Sequence, residues 1–88
     1  MPIHVELFGI PRQRAGVKEL DVTADDLQSL LLAIGRELPQ LLDVCLDHDG
    51  RLKSGYLANI NGRAFVTAAE TPLTDGDNVL ILSADAGG

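Results

Sequence analysis

Cysteine is all but missing from this chain: Cys45 is the only one, tryptophan is absent, and aromatic residues make up 3% of 88 residues. A single cysteine excludes an internal disulfide, a CxxC redox pair and a four-cysteine metal or iron–sulfur site. With aromatics so scarce, the core has to be assembled from the Leu, Ile, Val and Ala that dominate the 45% apolar share. Basic residues are also few. Seven Lys and Arg stand against thirteen Asp and Glu, a formal charge of −6, which argues against a nucleic-acid partner because phosphate contacts need a basic face. It suits a partner with a basic docking surface instead. No apolar run approaches the roughly 18 residues of a membrane span, and no signal-peptide order of charged, apolar and small residues is present. A soluble cytoplasmic protein without a membrane partner is expected, with one domain and a modest core.

Residues 3–8 alternate, with Ile3, Val5 and Leu7 on one face and His4, Glu6 and Phe8 on the other, the period of a half-buried strand. The basic stretch 10–16 carries Pro11 and Gly16 and reads as a turn into a second strand over 17–22, an opening hairpin. Thr23 followed by Ala24-Asp25-Asp26 reads as a helix start with acidic residues in its first turn. Leu27, Leu30, Leu31, Ile34 and Leu38 then fall on one helical stripe. Pro39 stops that helix. Leu41, Leu42, Cys45 and Leu46 suggest a short second helical piece, followed by a turn at Asp47-His48-Asp49-Gly50 and a polar loop over 51–55. Strands at 56–60 and 63–66 flank Asn61-Gly62, a pair suited to a type I′ hairpin turn. Residues 67–78 are loop and turn, and 79–83 form the last strand. Both faces of that strand are apolar, Val79 and Ile81 on one and Leu80 and Leu82 on the other, so it is expected at the centre of a sheet. A mixed α+β fold follows, with one main helix covering one face of a small sheet.

Side chains with catalytic or ligating potential do not assemble into a recognisable site. Asp47, Asp49 and Gly50 match part of a calcium loop, but Cys45 and Tyr56 occupy two positions that need carboxylates, so ordinary turn chemistry is expected. Cys45 sits on the apolar side of a leucine-rich piece and is expected to be a buried, inert thiol. His4 occupies an outward strand position as a solvated side chain, and Ser83 has no His–Asp signal near it. No metal and no catalytic residue is expected, hence no enzyme in its own right.

The remaining feature is the end of the chain, Ile81-Leu82-Ser83-Ala84-Asp85-Ala86-Gly87-Gly88. An apolar strand runs into small residues and stops on two glycines, which lack a Cβ and can thread a narrow channel. Fully extended, residues 84–88 would reach roughly 17 Å beyond the strand. Together with Ile60-Asn61-Gly62 and the turn Leu73-Thr74-Asp75-Gly76-Asp77-Asn78-Val79, this terminus resembles the ubiquitin-like β-grasp family, and within it the ThiS/MoaD sulfur carriers. The insert over 39–55 is closer to MoaD, whereas Leu82-Ser83-Ala84-Asp85 departs from the aromatic and proline residues that MoaD tails tend to carry.

The resemblance implies a β-grasp domain over 1–83, a mixed sheet of four to five strands on one main helix with a short second helix, and a flexible Gly-Gly tail over 84–88. It implies that a separate adenylating enzyme of the MoeB/ThiF type uses ATP to activate the Gly88 carboxylate, with Ala86 and Gly87 threading that enzyme's channel. Sulfur then replaces AMP, and the thiocarboxylate serves a sulfur-accepting biosynthetic enzyme, in molybdopterin synthesis or for another sulfur-containing product. The chain would be a carrier, at most the small sulfur-donating subunit of a synthase, and would bind no cofactor itself. Phe8, Leu57, Leu80 and Leu82 share the sheet face away from the helix by parity; either the loops around Pro39 and Arg51 cover that face, or, as the resemblance implies, it is an exposed apolar patch that docks the activating enzyme. Two other functions fit the same residues: a protein modifier forming isopeptide bonds through Gly88, and a non-covalent interaction module.

Overall fold

The computed structural model describes residues 2–87, with Ala86 and Gly87 described by their backbone alone. Strand β1 (Ile3–Leu7) leads to helix α1 (Ile10–Ala15), strand β2 (Glu19–Val22) and the main helix α2 (Leu27–Glu37). A 3-10 helix (Pro39–Asp43) follows, then β3 (Tyr56–Ile60), β4 (Ala64–Val66), β5 (Asn78–Ser83) and a single helical turn, α3 (Ala84–Gly87). The five strands form one sheet in the order β2-β1-β5-β3-β4. β5 is central, as its two apolar faces predict, parallel to β1 and antiparallel to β3.

The alternation in β1 places Ile3, Val5 and Leu7 in the core, where Val79 and Ile81 meet them from β5. The helical stripe also holds: Leu27, Leu30, Leu31 and Ile34 are buried, and Leu38, just past the helix, packs against the core partly exposed. Leu41, Cys45 and Leu46 close the open end of this layer. The second helical piece ends at Asp43, earlier than its leucines suggest. Beyond it the chain turns on one acceptor, the Leu41 carbonyl, which takes the N–H groups of Val44, Cys45 and Leu46 at 3.0, 3.0 and 3.1 Å.

Two local expectations are corrected. The stretch 10–16 is a helix. Pro11 lies in its first turn, where its missing N–H costs nothing, and Gly16 caps its end in the left-handed region (φ 79°), donating to the Arg12 carbonyl at 3.1 Å. The same two residues that punctuate a turn also start and stop a helix. The second strand therefore begins at Glu19, and Val17 is an exposed linker residue.

The main helix begins at Asp26, three residues later than Thr23. The Asp26 Oδ1 accepts the Ser29 N–H at 2.8 Å, and the Ser29 Oγ accepts the Asp26 N–H at 3.3 Å, a reciprocal capping box. The next two N–H groups, of Leu27 and Gln28, donate to the Thr71 and Ala69 carbonyls at 2.9 Å each. The loop before β5 thereby supplies acceptors that a helix start otherwise lacks.

Gly50 lies against α2. Its φ is +81°, and a Cβ there would come within 2.8 Å of the side chains of Gln28 and Leu32 and 2.9 Å of the Gln28 carbonyl oxygen. The Gln28 amide fixes this approach by donating to the Asp49 carbonyl at 3.0 Å. Gly50→Ala is expected to lower stability by about 1–3 kcal/mol through backbone strain and contact, read as a lower urea midpoint with unchanged m-value.

Candidate functional site: the central strand, its terminus and the outer face of the sheet

The tail emerges from the most firmly held strand in the molecule. At its start, Asn61 clasps the turn that feeds β5. The Asn61 side chain donates to Asp77 Oδ1 at 3.0 Å and accepts the Asn78 N–H at 2.8 Å, and the Asn61 N–H donates to the Asn78 carbonyl at 2.7 Å. Asp77 in turn accepts the Thr74 N–H at 2.8 Å through Oδ2, and its carbonyl accepts the His4 N–H at 2.9 Å. Asn61 pays for this position with a left-handed backbone (φ 54°), a region asparagine tolerates better than most residues. Gly62 follows at φ 70°, and the Arg63 N–H donates to the Ile60 carbonyl at 3.0 Å, the bond of a type I′ turn. The two internal motifs that carried the resemblance, Ile60-Asn61-Gly62 and Leu73 to Val79, are thus one hydrogen-bonded unit.

At the far end of β5, Ser83 pairs with Tyr56, and the Ala84 N–H donates to the Gly55 carbonyl at 2.7 Å. Residues 84–87 follow as one helical turn in place of an extended arm. This turn lies against β3 and β5. Gly88, the expected site of activation, lies outside the described residues. So do the contacts of Ala86 and Gly87.

The outer face of the sheet, opposite α2, divides by charge. Register sets Glu19, Glu6, Leu80, Asn59 and Phe65 in one row across β2, β1, β5, β3 and β4. The β2–β1 side is acidic and the β5–β3–β4 side is apolar. A shallow depression of about 210 Å³ lies where they meet, lined by Glu6, Asn59, Gly62, Asn78, Val79 and Leu80.

Of the four expected docking residues, Phe8 is 49% exposed, Leu57 and Leu80 are half-buried, and Leu82 is 4% exposed. Leu82 is therefore a packing residue and offers no docking surface. Phe65, 55% exposed, was not foreseen. Ile60 pairs with Ala64, so three residues separate the paired positions of this hairpin, and the extra residue turns Phe65 to the outer face beside Asn59. Ile10 and Val17, at 46% and 43%, enlarge the exposed apolar surface around α1.

The other candidates resolve clearly. Cys45 is fully buried, and burial pushes its thiol up to about 11, so it is protonated and unreactive at neutral pH. Asp47 and Asp49 are exposed and lie 3.8 Å from Lys53 and Arg51, respectively, as turn residues should. His4 is more engaged than a solvated side chain. Its Nδ1 lies 3.0 Å from Asp21 Oδ1, and its Nε2 lies 3.7 Å from Glu6 Oε1 and 3.6 Å from Glu19 Oε2. The Asp21 hydrogen bond, with help from the nearby carboxylates, raises its pKa above the ordinary histidine value. Only strand pairing reveals this cluster, since Glu19 and Asp21 are remote from His4 in the chain.

A five-stranded mixed sheet with β1 and β5 parallel at its centre, crossed by one main helix, is the ubiquitin-like β-grasp fold. The model of the ThiS family matches residues 5–88, and the chain belongs to that family. Among solved structures it is similar to SAMP1 from Haloferax volcanii, with 22% identity, TM-score 0.82 and 100% of each chain covered. It is also similar to the small archaeal modifier protein 1 (SAMP1) from Methanosarcina acetivorans, with 27% identity, TM-score 0.80, and 98% of this chain and 95% of that one covered. A third likeness is to the Amycolatopsis orientalis BexX/CysO complex, with 20% identity, TM-score 0.78, and 98% and 99% covered. No curated protein sequence matches the chain.

The clasp at Asp77 gives a pH dependence. Hydrogen bonds from Asn61, then from the Thr74 N–H, hold the Asp77 carboxyl below its ordinary value. A lowered folded pKa contributes stability that is present above the unfolded value of about 3.9 and is lost as pH falls through the folded value. Asp77→Asn is therefore expected to be less stable than the parent at pH 7, with the gap narrowing below about pH 4. Urea unfolding at pH 7 and pH 3 measures both.

Proposed function

We propose that the chain is a sulfur carrier whose Gly88 carboxylate is activated and converted to a thiocarboxylate. A carboxylate at neutral pH is a poor electrophile. An adenylating enzyme of the MoeB/ThiF type joins it to AMP from ATP and releases pyrophosphate. Sulfide then displaces AMP; where an enzyme persulfide does so, a thiol cleaves the resulting acyl disulfide. The product is nucleophilic as its anion, and a biosynthetic enzyme takes the sulfur and returns the carboxylate. The carrier binds no cofactor in this scheme, and ATP belongs to the activating partner. The cytoplasm, where ATP and reduced sulfur meet, is the proposed location; among the described residues no helix is long and apolar enough to cross a membrane.

One observation carries the reading: in a ThiS-family chain, the doubly paired central strand ends three residues before a terminal Gly-Gly. The thermodynamic work of holding the tail's root is done by the sheet, so the last residues need only reach. Molybdopterin-type synthesis is one destination for the sulfur, and the tail sequence Leu82-Ser83-Ala84-Asp85 leaves other sulfur-containing products equally open. A second reading, isopeptide attachment of Gly88 to lysines of other proteins, is favoured by the likeness to a protein titled small archaeal modifier protein 1. The same acyl adenylate serves both. For docking, we propose the exposed apolar outer face, with Phe8 and Phe65 as its most accessible side chains and half-buried Leu57 and Leu80 between them.

Incubation with an activating enzyme of this type, ATP and sulfide is expected to exchange one oxygen for sulfur, seen by intact-mass analysis. A chain lacking Gly88 should stay unchanged in mass. Transfer of the carrier to other proteins without that exchange would favour the modifier. Phe8→Asp and Phe65→Asp should each slow modification about tenfold or more at subsaturating carrier, the cost of truncating an interface anchor. Both should leave the urea midpoint nearly unaltered, because these side chains are half exposed.

A further inference from the structure

We propose that His4, Glu6 and Glu19 form a binding site for a divalent transition ion of the zinc type on the acidic half of the outer face. The site is centred on an imidazole, and Asp21 sets that imidazole's orientation. With the Nδ1 proton donated to Asp21 Oδ1 at 3.0 Å, the lone pair of the neutral ring is at Nε2. That nitrogen faces Glu6 Oε1 at 3.7 Å and Glu19 Oε2 at 3.6 Å, and one ligand atom from each of the three residues lies within 4.8 Å of the others. Bonds of about 2.1 Å in a tetrahedral arrangement put neighbouring ligand atoms about 3.4 Å apart. The Nε2-to-carboxylate separations need a change of a few tenths of an ångström, and side-chain rotation has to bring the two exposed carboxylates, within 4.8 Å of one another, to the same spacing.

Two further features make these residues more than a solvated acidic surface. Glu6 and Glu19 are direct cross-strand partners, a like-charge pairing that weakens a ladder unless a cation lies between them. Among the described residues no lysine or arginine forms an ion pair with either glutamate, and His4 is the basic side chain that lies within 4 Å of both. On the other side of β1, the register neighbours of His4 and Glu6 are Asn78 and Leu80, which bring no charge. The three ligands also stand on two paired strands, so their Cα positions are set by backbone hydrogen bonds and the ion has only side-chain rotamers to order.

The donor set selects the ion class. One imidazole and two carboxylates suit zinc and its late first-row neighbours, whereas magnesium and calcium take oxygen ligands. Asp21 would complete the carboxylate–histidine–metal relay that fixes ring orientation in metal sites. Three protein ligands leave a fourth position facing outward, for water or for a donor from a docked partner. The ion would bridge the edge strand β2 to β1 and cancel part of the charge of −6.

Tag-free protein, stripped with a chelator, is titrated with zinc chloride by calorimetry at pH 7.5, and the ring nitrogens are followed by long-range ¹H–¹⁵N NMR. The expected result is one saturable equivalent, a shift confined to His4 with Nε2 as the ligating nitrogen, and a raised thermal midpoint. His4→Gln and the double variant Glu6→Gln/Glu19→Gln should abolish saturable binding, His48→Gln should leave it intact, and Asp21→Asn should weaken it about tenfold. Magnesium at the same concentration should not compete. Failure to saturate below millimolar zinc, binding unchanged in His4→Gln, or binding lost in His48→Gln would each overturn the proposal. Circular dichroism of each variant confirms that the fold is retained.

Discussion

The clasp of Asn61 on Asp77 and Asn78 is the contact on which the rest of the structure depends. Three strands converge there. Asn61 follows directly on β3, Asn78 begins β5, and the Asp77 carbonyl receives the first ladder hydrogen bond of β1 from His4. Without it, β5 would enter the sheet unregistered between two neighbours of opposite direction, and a slip of one residue would turn Val79 and Ile81 out of the core. The clasp is built from exposed, short polar side chains, so its value lies in geometry more than in burial. It decides which residue of the chain is the last one held by the sheet, and therefore how much chain is left to reach a partner.

From that constraint the two faces of the sheet acquire different duties. The inner face is committed to α2 and to the leucines that follow it, and its stability is ordinary hydrophobic burial. The outer face carries little of the core, so its residues are available for other purposes. The acidic β2–β1 half and the apolar β5–β3–β4 half meet at the depression floored by Leu80. A partner that reads both halves would present apolar side chains beside basic ones, in keeping with the acidic charge of the whole chain. The tail leaves β5 at one end of this same surface.

Local patterns carry most of this fold in legible form. The stripe from Leu27 to Ile34, the alternation of Ile3, Val5 and Leu7, the Asn61-Gly62 turn and the central place of β5 all follow from period and turn chemistry. What was not legible depended on contacts between distant segments. Thr23 and Asp26 are both good helix caps in isolation, and Asp26 wins because Thr71 and Ala69 supply carbonyls to the residues after it. Pro11 and Gly16 mark either a turn or a short helix, and the burial of Pro11 and Ala15 decides for the helix. Phe65 required the hairpin register, and the His4 cluster required the β1–β2 pairing. Leu82 obeys its parity, yet parity does not tell whether a face is covered. The terminus was legible as composition and family likeness, and Gly88 remains outside the described residues.

The central claim is that this scaffold presents a terminal carboxylate for activation, and ATP–pyrophosphate exchange tests it most directly. Two chains would be compared with one activating enzyme, the natural chain and one whose Gly88 carboxyl has been converted to a primary amide by semisynthesis. The two share every contact of the folded domain and differ at a single terminal group. The account predicts exchange that depends on the natural chain and none above background with the amide, while the amide competes for docking. Equal exchange with both chains would contradict it.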